Sequence, residues 1–471
     1  MNLLKSIIYL VLVFNLYSLP VTFSFRPPNS GDAIDEGSVD EAAVSHDVWY
    51  APATDDSVFI AVRRGDLSSV RRMINRGIDL NNRDSIGWTP LDYARKNNRQ
   101  EIRKLLQESG AVTFPKSIPD MCDGPHVKLI DSSVAEVFYL KHDAKSGRSG
   151  ISSDTFRLDD LPMVINGVSV RREDFGLENN FSGPVSSFKC HGKIFVIGDM
   201  HGVCSRTVEL LKKKGITDSE GNWNWGKGHL VFIGDIFDRG TEMTEALWMI
   251  FRLEKQAAEH GGMVHLILGN HEPMIFNSDL RYVDDDYYSL CDNLNLSYSD
   301  LFDNKSLLGI WLRQKPAVIR INNYVFVHAG FSPELIDREV PADTINYIVW
   351  RYLNNIEYDK DRALRQLIMG GSGVVWYRGM IDEVTRKDVI EKSYVARCLN
   401  FYKSDALIIG HTEVDTIKYY FDGRVIDVDI PKRELIIPEQ GLLIKKHTFR
   451  INFQDGTSKK LIRLSRFRDF D

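Results

Sequence analysis

Gly198-Asp199-Met200-His201-Gly202, Gly234-Asp235-Ile236-Phe237-Asp238-Arg239-Gly240 and Gly269-Asn270-His271-Glu272 stand in this order in the middle of a chain of 471 residues. Each follows an apolar run that reads as a buried strand: 193–197, 230–233 and 263–268. Strand ends followed by glycine turns are where open α/β sheets put their chemistry. Two later turns repeat the pattern, Val327-His328-Ala329-Gly330 after 324–327 and Gly410-His411-Thr412 after 406–409. Asp, His and Asn at these turns make a mixed carboxylate, imidazole and amide set, which suits divalent ions such as Mn, Fe or Zn. Taken singly, Asp-Gly and Gly-His pairs are ordinary turn residues. Their ordered recurrence at successive strand ends points to a site.

The set resembles the calcineurin-like metallophosphoesterases, in particular the phosphoprotein phosphatase branch, which carries GDxHG, GDxxDRG and GNHE, then HGG or HAG, then a last His. Within that branch the chain is similar to the Shewanella-like phosphatases through Ser278-Asp279-Leu280-Arg281-Tyr282-Val283, Val375-Trp376-Tyr377-Arg378-Gly379 and Ile409-Gly410-His411-Thr412. The resemblance covers about residues 120–445. It implies an α/β fold, a metallophosphatase-type two-sheet sandwich flanked by helices, and two divalent metal ions. A two-metal site generates an activated hydroxide at neutral pH for direct in-line attack on a phosphoryl group. Asp235 is the natural bridging ligand, because a carboxylate has two oxygens to share. By the family's motif, Asp199 and His201 complete one metal site, and Asn270, His328 and His411 the other. His271 and Asp238 remain as a pair. The protonated imidazole would give its proton to the leaving oxygen, while the aspartate holds the ring and raises its pKa. Arg239 and Arg378 would grip phosphate oxygens, which guanidinium matches bidentately; Arg378 rests on the Trp376-Tyr377-Arg378-Gly379 stretch alone.

The implied activity is a metal-dependent phosphomonoesterase, foremost a protein phosphatase. The residue after GDxHG is Val203, where the best-known eukaryotic Ser/Thr phosphatases have Gln, and His328 is followed by Ala329. These departures leave phosphoserine, phosphothreonine, phosphotyrosine and small phosphate esters all open as substrates. Two rivals stand beside this reading. One is a nucleotide or dinucleoside polyphosphate hydrolase on the same metal core. The other is an ankyrin-anchored binding protein whose site is inactive.

Composition is ordinary for a soluble globular protein, at 43% hydrophobic and 26% charged residues. A net charge of −6 offers nothing to a polyanion, so no nucleic-acid partner is expected. Residues 1–25 read as a signal peptide or N-terminal anchor, with Lys5 before the apolar run 7–16. That segment implies export to a periplasm, the medium or an endomembrane lumen. Residues 26–54 are polar and acidic and read as a linker. Residues 55–111 read as an all-α block of ankyrin-like repeats with a period of about 33: Ala61 and Gly77 recur as Ala94 and Gly110, and Val70/Met73/Ile74 as Ile102/Leu105/Leu106. Gly87-Trp88-Thr89-Pro90-Leu91-Asp92-Tyr93-Ala94 resembles the ankyrin signature, with Asp92 in place of His. Two repeats are too few to hide their own apolar face, so the block is expected to dock on the catalytic domain, 118–471, away from the metal cleft, or to pair with another chain, and to recruit a protein partner.

Three further expectations complete the reading. Asp284-Asp285-Asp286 reads as a solvated acidic loop rather than a metal site. The alternating runs from Ile417 onward, with turns at Asp422-Gly423 and Asp455-Gly456, read as antiparallel hairpins finishing the second sheet. Cys122, Cys190, Cys204, Cys291 and Cys398 form no metal pattern, and in an exported chain they allow one or two disulfides. Cys204 reads as a small buried core residue rather than a nucleophile.

Overall fold

The computed structural model describes residues 58–84, 88–97, 99–112, 118–177, 183–356, 362–381, 390–432 and 437–465. The expected signal or anchor segment, the linker and Gly87 lie outside these residues.

Four helices open the described chain: Val58–Arg64, Leu67–Asn75, Pro90–Lys96 and Gln100–Glu108. The third begins where the ankyrin-like signature predicts. Thr89 Oγ1 accepts from the Asp92 amide at 3.2 Å, and the Asp92 carboxylate accepts from the Thr89 amide at 2.9 Å. Asp92 thus closes a capping box that satisfies orphan helix donors, and Pro90 sits at the first helical position, where its missing N–H costs nothing. The block's core is small, with Val62, Val70, Leu91, Ala94, Ile102 and Leu106 at its centre.

The block therefore docks, through its signature helix, on helix Asp285–Asn293. Lys96 Nζ lies 2.5 Å from Asp285 Oδ1, the Trp88 indole N–H donates to Asp285 Oδ2 at 3.1 Å, and Arg95 pairs with Asp292. The docking helix starts just after Tyr282, whose ring lies 5.3 Å from that of His271. The contact is thus beside the metal cleft, not away from it as the sequence suggested. The acidic triplet is likewise no simple solvated loop. Asp284 caps the helix by accepting from the Asp286 amide at 2.9 Å, and Asp285 is taken up by the repeat block. Acids at a helix N-terminus complement its dipole, which is why three together begin a helix here.

Strands β1 (Met121–Leu129), β2 (Val134–Asp143) and β3 (Arg148–Arg157) form an antiparallel meander, and β4 (Met163–Ile165) and β5 (Val168–Val170) a hairpin. Two six-stranded sheets follow. One has the order β17-β16-β15-β7-β8-β9, with β7 (Ile194–Ile197), β8 (His229–Phe232) and β9 (Met263–Leu266) parallel and β15 (Gln440–Lys445), β16 (Thr448–Phe453) and β17 (Ser458–Arg463) antiparallel. The other has the order β13-β14-β12-β11-β10-β6, built from β6 (Ser187–Phe188), β10 (Val318–Ile321), β11 (Tyr324–Val327), β12 (Ala406–Ile409), β13 (Lys418–Tyr420) and β14 (Val425–Asp427).

The apolar strands have two buried faces, which explains their unbroken hydrophobicity. In β7, Ile194 and Val196 enter the core between the sheets with Phe326, Ile408 and Ile426. Phe195 and Ile197 point the other way, into the core under the helices that include Met243–Glu259. Val325, Val327, Leu407 and Ile409 do the same on the far side of the second sheet. The C-terminal strands divide between the sheets rather than finishing one. β13 and β14 extend the sheet of β12, whereas β15 (Gln440–Lys445), β16 (Thr448–Phe453) and β17 (Ser458–Arg463) extend the other sheet at β7. Alternation decides which face of a strand is buried but not which neighbour it pairs with.

All five cysteines are free thiols, so neither of the one or two disulfides that an exported chain would allow is formed. Cys204 is buried against Met249, its Sγ 3.9 Å from the thioether, and burial pushes its pKa up to about 12, the opposite of an activated thiol. Among the described residues no helix is long and apolar enough to cross a membrane.

Candidate metal centre

The parallel register of β7, β8 and β9 brings Ile197, Phe232 and Leu266 level, so the turns carrying Asp199, Asp235 and Asn270 emerge side by side. β11 and β12, also parallel, deliver His328 and His411 from the second sheet. The backbone at these turns is strained. His201 (φ 45°), Asp235 (49°), Asp238 (71°), Arg239 (68°) and His411 (69°) all sit in the left-handed region, which side-chain-bearing residues seldom occupy. Surrounding bonds hold them there. The amides of Met200 and His201 both donate to the Asp235 carbonyl at 3.0 and 2.9 Å, and the His411 amide donates to Asp199 Oδ2 at 3.1 Å. Glu272, fully buried, clamps two turns together: its carboxylate accepts from the amides of Gly269 (2.7 Å), Ile236 (2.8 Å) and Asp235 (3.1 Å). Gly269 has no alternative, since a Cβ there would run into the Asp235 carboxylate.

Two groups of donor atoms result. His201, Asp235 and His271 place ligand-type atoms within 4.8 Å of one another, and so do Asp235, His328 and His411. Asp235 belongs to both. Its Oδ2 lies 3.2 Å from His328 Nε2, 3.7 Å from His271 Nε2 and 3.8 Å from His201 Nε2. Asn270 Oδ1 is 3.1 Å and His411 Nδ1 3.2 Å from His328 Nε2. Backbone carbonyls take the far nitrogens: Phe237 O at His201 Nδ1 (3.0 Å), Ile233 O at His328 Nδ1 (2.8 Å) and Trp376 O at His411 Nε2 (3.2 Å). Carbonyls there fix the N–H on the far side and turn a lone pair toward the centre, as for metal-bound imidazoles. Asp199 falls outside both groups of three, yet borders them, with Oδ1 3.9 Å from His328 Nδ1. That Oδ1 is buried and accepts no hydrogen bond. A buried carboxylate oxygen without a donor suits a cation. The donor set therefore fits divalent ions.

Burial opposes the charge on Asp235, but His328, His271 and His201 outweigh it and hold the carboxyl well below its usual range. Burial raises Asp199, and the carboxylates of Asp429, Asp235 and Asp427 raise it further. Burial lowers His201 and His411, helped by the guanidinium groups of Arg239 and Arg378 respectively. His271 and His328 go the other way. Burial disfavours both cations, yet Asp235 raises the pKa of both, joined at His271 by Asp238. His271 Nδ1 is 2.5 Å from Asp238 Oδ2, which fixes the N–H on that side and turns Nε2 to the centre. What sets His271 apart from the other imidazoles, although its position groups it with them, is its partner: its far nitrogen faces the Asp238 carboxylate, where those of His201, His328 and His411 face backbone carbonyls.

Both arginines lie at the rim. Arg239 Nη1 is 2.7 Å from Glu413 Oε1, and its amide donates to the Tyr282 carbonyl at 2.9 Å. Arg378 donates to the His411 carbonyl at 2.7 Å. The sequence reading missed Glu272 as a clamp, Tyr282 as the wall beside His271, Glu413, and the buried acids Asp427 and Asp429. Glu272 and Tyr282 lay inside quoted motifs. The Asp427-Val428-Asp429 alternation at the end of an apolar run was a legible signal. Glu413 carried none.

Comparisons with known proteins agree with this geometry. The calcineurin-like phosphoesterase family model matches residues 192–415, and the ankyrin-repeat model residues 58–106. Shewanella-like protein phosphatase 1 of Plasmodium berghei is 26% identical over 242 residues, covering 50% of this chain and 65% of that protein. Shewanella-like protein phosphatase 2 of Arabidopsis thaliana is 26% identical, covering 50% of this chain and 71% of its own. A solved structure described as the cold-active protein-tyrosine phosphatase of a psychrophilic Shewanella species is 30% identical, covers 73% of this chain and 100% of that one, and superposes with a TM-score of 0.61.

Proposed function

The chain belongs to the calcineurin-like phosphoesterases, and on that premise we propose that it is a protein phosphatase using two divalent ions held by Asp199, His201, Asp235, Asn270, His328 and His411. The observation that carries this reading is the His271–Asp238 pair at 2.5 Å, set beside two donor groups that share Asp235. When bound, Mn, Fe or Zn ions would supply Lewis acidity and water activation at neutral pH.

The remaining work belongs to side chains. Arg239 and Arg378, at the rim, bind phosphate oxygens and orient the ester. Asp238 accepts from His271 Nδ1–H and keeps the ring cationic. The Nε2 proton then passes to the leaving oxygen, so that an alkoxide or phenoxide departs as a neutral alcohol or phenol. Glu272 fixes Asp235 through its amide. Burial of Asp235, Asp238, His271 and Glu272 keeps solvent from screening their charges. The named relatives support a phosphoprotein substrate, and the neighbouring tyrosine phosphatase supports an aryl phosphate among the esters turned over. The proposal extends to export directed by residues 1–25, which fractionation with and without that segment decides.

A substrate panel tests the proposal. Peptides carrying phosphotyrosine, phosphoserine or phosphothreonine are compared with a dinucleoside polyphosphate, with Asp235→Asn as the control expected to lose both metal and turnover. Preferential hydrolysis of the dinucleotide would sink the protein-phosphatase reading, and an Asp235→Asn variant that keeps two metals per chain and full rate would sink the shared-ligand assignment.

A further inference from the structure

Arg239 is read as a phosphate-gripping residue, yet in this structure its guanidinium is already engaged. Glu413 Oε1 lies 2.7 Å from Nη1, and the two side chains are 49% and 25% exposed for Glu413 and Arg239. Glu413 is in neither donor group. It stands two residues after His411 on the turn that closes the centre. Arg239 itself has little freedom: its φ is 68° and its amide is pinned to the Tyr282 carbonyl at 2.9 Å. Its side chain therefore leaves the backbone in a set direction, and its charge is felt at His201, His271 and Asp235. A carboxylate and a phosphate present the same pair of oxygens to a guanidinium fork.

We propose that Glu413 is an internal competitor for the phosphate seat at Arg239, holding the guanidinium between turnovers and weakening the grip on substrate and on product phosphate. It is a specificity-determining residue rather than a catalytic one, and the inference rests on the phosphatase reading above. A carboxylate that reclaims Arg239 after hydrolysis lowers the barrier to phosphate release, which limits turnover in many enzymes. Half exposed, it can swing into solvent when a phosphoryl group arrives. A purely structural partner would do the reverse, aiming Arg239 and tightening the binding of phosphate.

The experiment is Glu413→Gln, with Glu413→Ala as a second variant, in the full metal-loaded chain. The amide keeps the shape and removes the charge. KM for p-nitrophenyl phosphate and the inhibition constant of inorganic phosphate are both expected to fall about tenfold, a change of ~1.4 kcal/mol. The same gain should appear in phosphate affinity by calorimetry and vanish in an Arg239→Gln background. Unchanged or raised constants in both variants overturn the proposal. If the wild-type chain hydrolyses no phosphoester, the functional reading fails on its own, and calorimetric phosphate affinity alone then decides the inference.

Discussion

At the scale of single residues, His271 shows how position and role separate. Its Nε2 groups with ligand-type atoms of His201 and Asp235, but its Nδ1 contact with Asp238 and the pKa raised by both carboxylates fit the proton-donor role proposed for it. His271→Asn is expected to retain its metals and to lose about 10²–10⁴ in kcat, the usual range for general acid catalysis. The loss should be smaller for aryl phosphates, whose leaving groups need little protonation; equal losses on aryl and alkyl esters would count against the role. A second histidine pair lies away from the centre. His265 Nε2 and His229 Nδ1 share one proton at 3.0 Å, and the Phe188 ring packs 4.5 Å from that of His265. Burial, with His191, pushes His229 down to about 4, and burial, with His229 and Lys315, pushes His265 down to about 3. An unfolded histidine protonates near 6.5. Between those values the unfolded chain binds more protons, so the pair's contribution is fully present above about pH 6.5 and drains away as pH falls toward 4 and 3. Thermal melts across that window should slope downward with acid, and His265→Phe should flatten the slope. Parallel curves for the two proteins would remove the pair from the account.

At the scale of elements, the decisive pairing is between the signature helix of the repeat block and helix Asp285–Asn293. Trp88 is 5% exposed, and it joins Lys96 on one carboxylate, that of Asp285, with the Lys96 ammonium 4.4 Å from its ring centroid. Trp88→Ala removes the ring and the indole bond together and is expected to cost about 3 kcal/mol. Because the docking helix continues from the Tyr282 loop that lies against His271, turnover of a small chromogenic phosphate should fall as well, by about threefold or ~0.7 kcal/mol in barrier. A lower melting temperature with untouched kinetics would show that the contact is a brace only. The helix boundaries explain why this contact was hard to foresee. The capping box at Thr89 and the acid run at Asp284 were each legible as local signals, but neither says that Lys96 will meet Asp285 across 189 residues of chain.

At the scale of the whole molecule, the sequence by itself determined the five strand-end motifs, the strands that carry them to within a residue or two, and the two-repeat block with its capped signature helix. Those features are local: strand burial shows as unbroken apolar runs, turns as Gly beside Asp or His, caps as Thr-Pro-Leu-Asp. It also named the histidines and the aspartate of both donor groups, because chemistry of this kind admits few side-chain types, while Glu272, Tyr282, Glu413, Asp427 and Asp429 escaped it. Tertiary structure alone decided the rest. Only the closing of two sheets face to face puts His328 and His411, from one sheet, within reach of Asp235 from the other. Only that closure gives His271 its raised pKa and His201 a lowered one, since burial and neighbouring charge come from chain segments far apart in sequence. The division of the C-terminal strands between sheets, the placing of Glu413 on Arg239 and the docking of the repeats beside the cleft are contacts between distant segments. Periodicity and propensity describe what a segment prefers, while a contact between segments depends on the shape and charge that both acquire when the core forms.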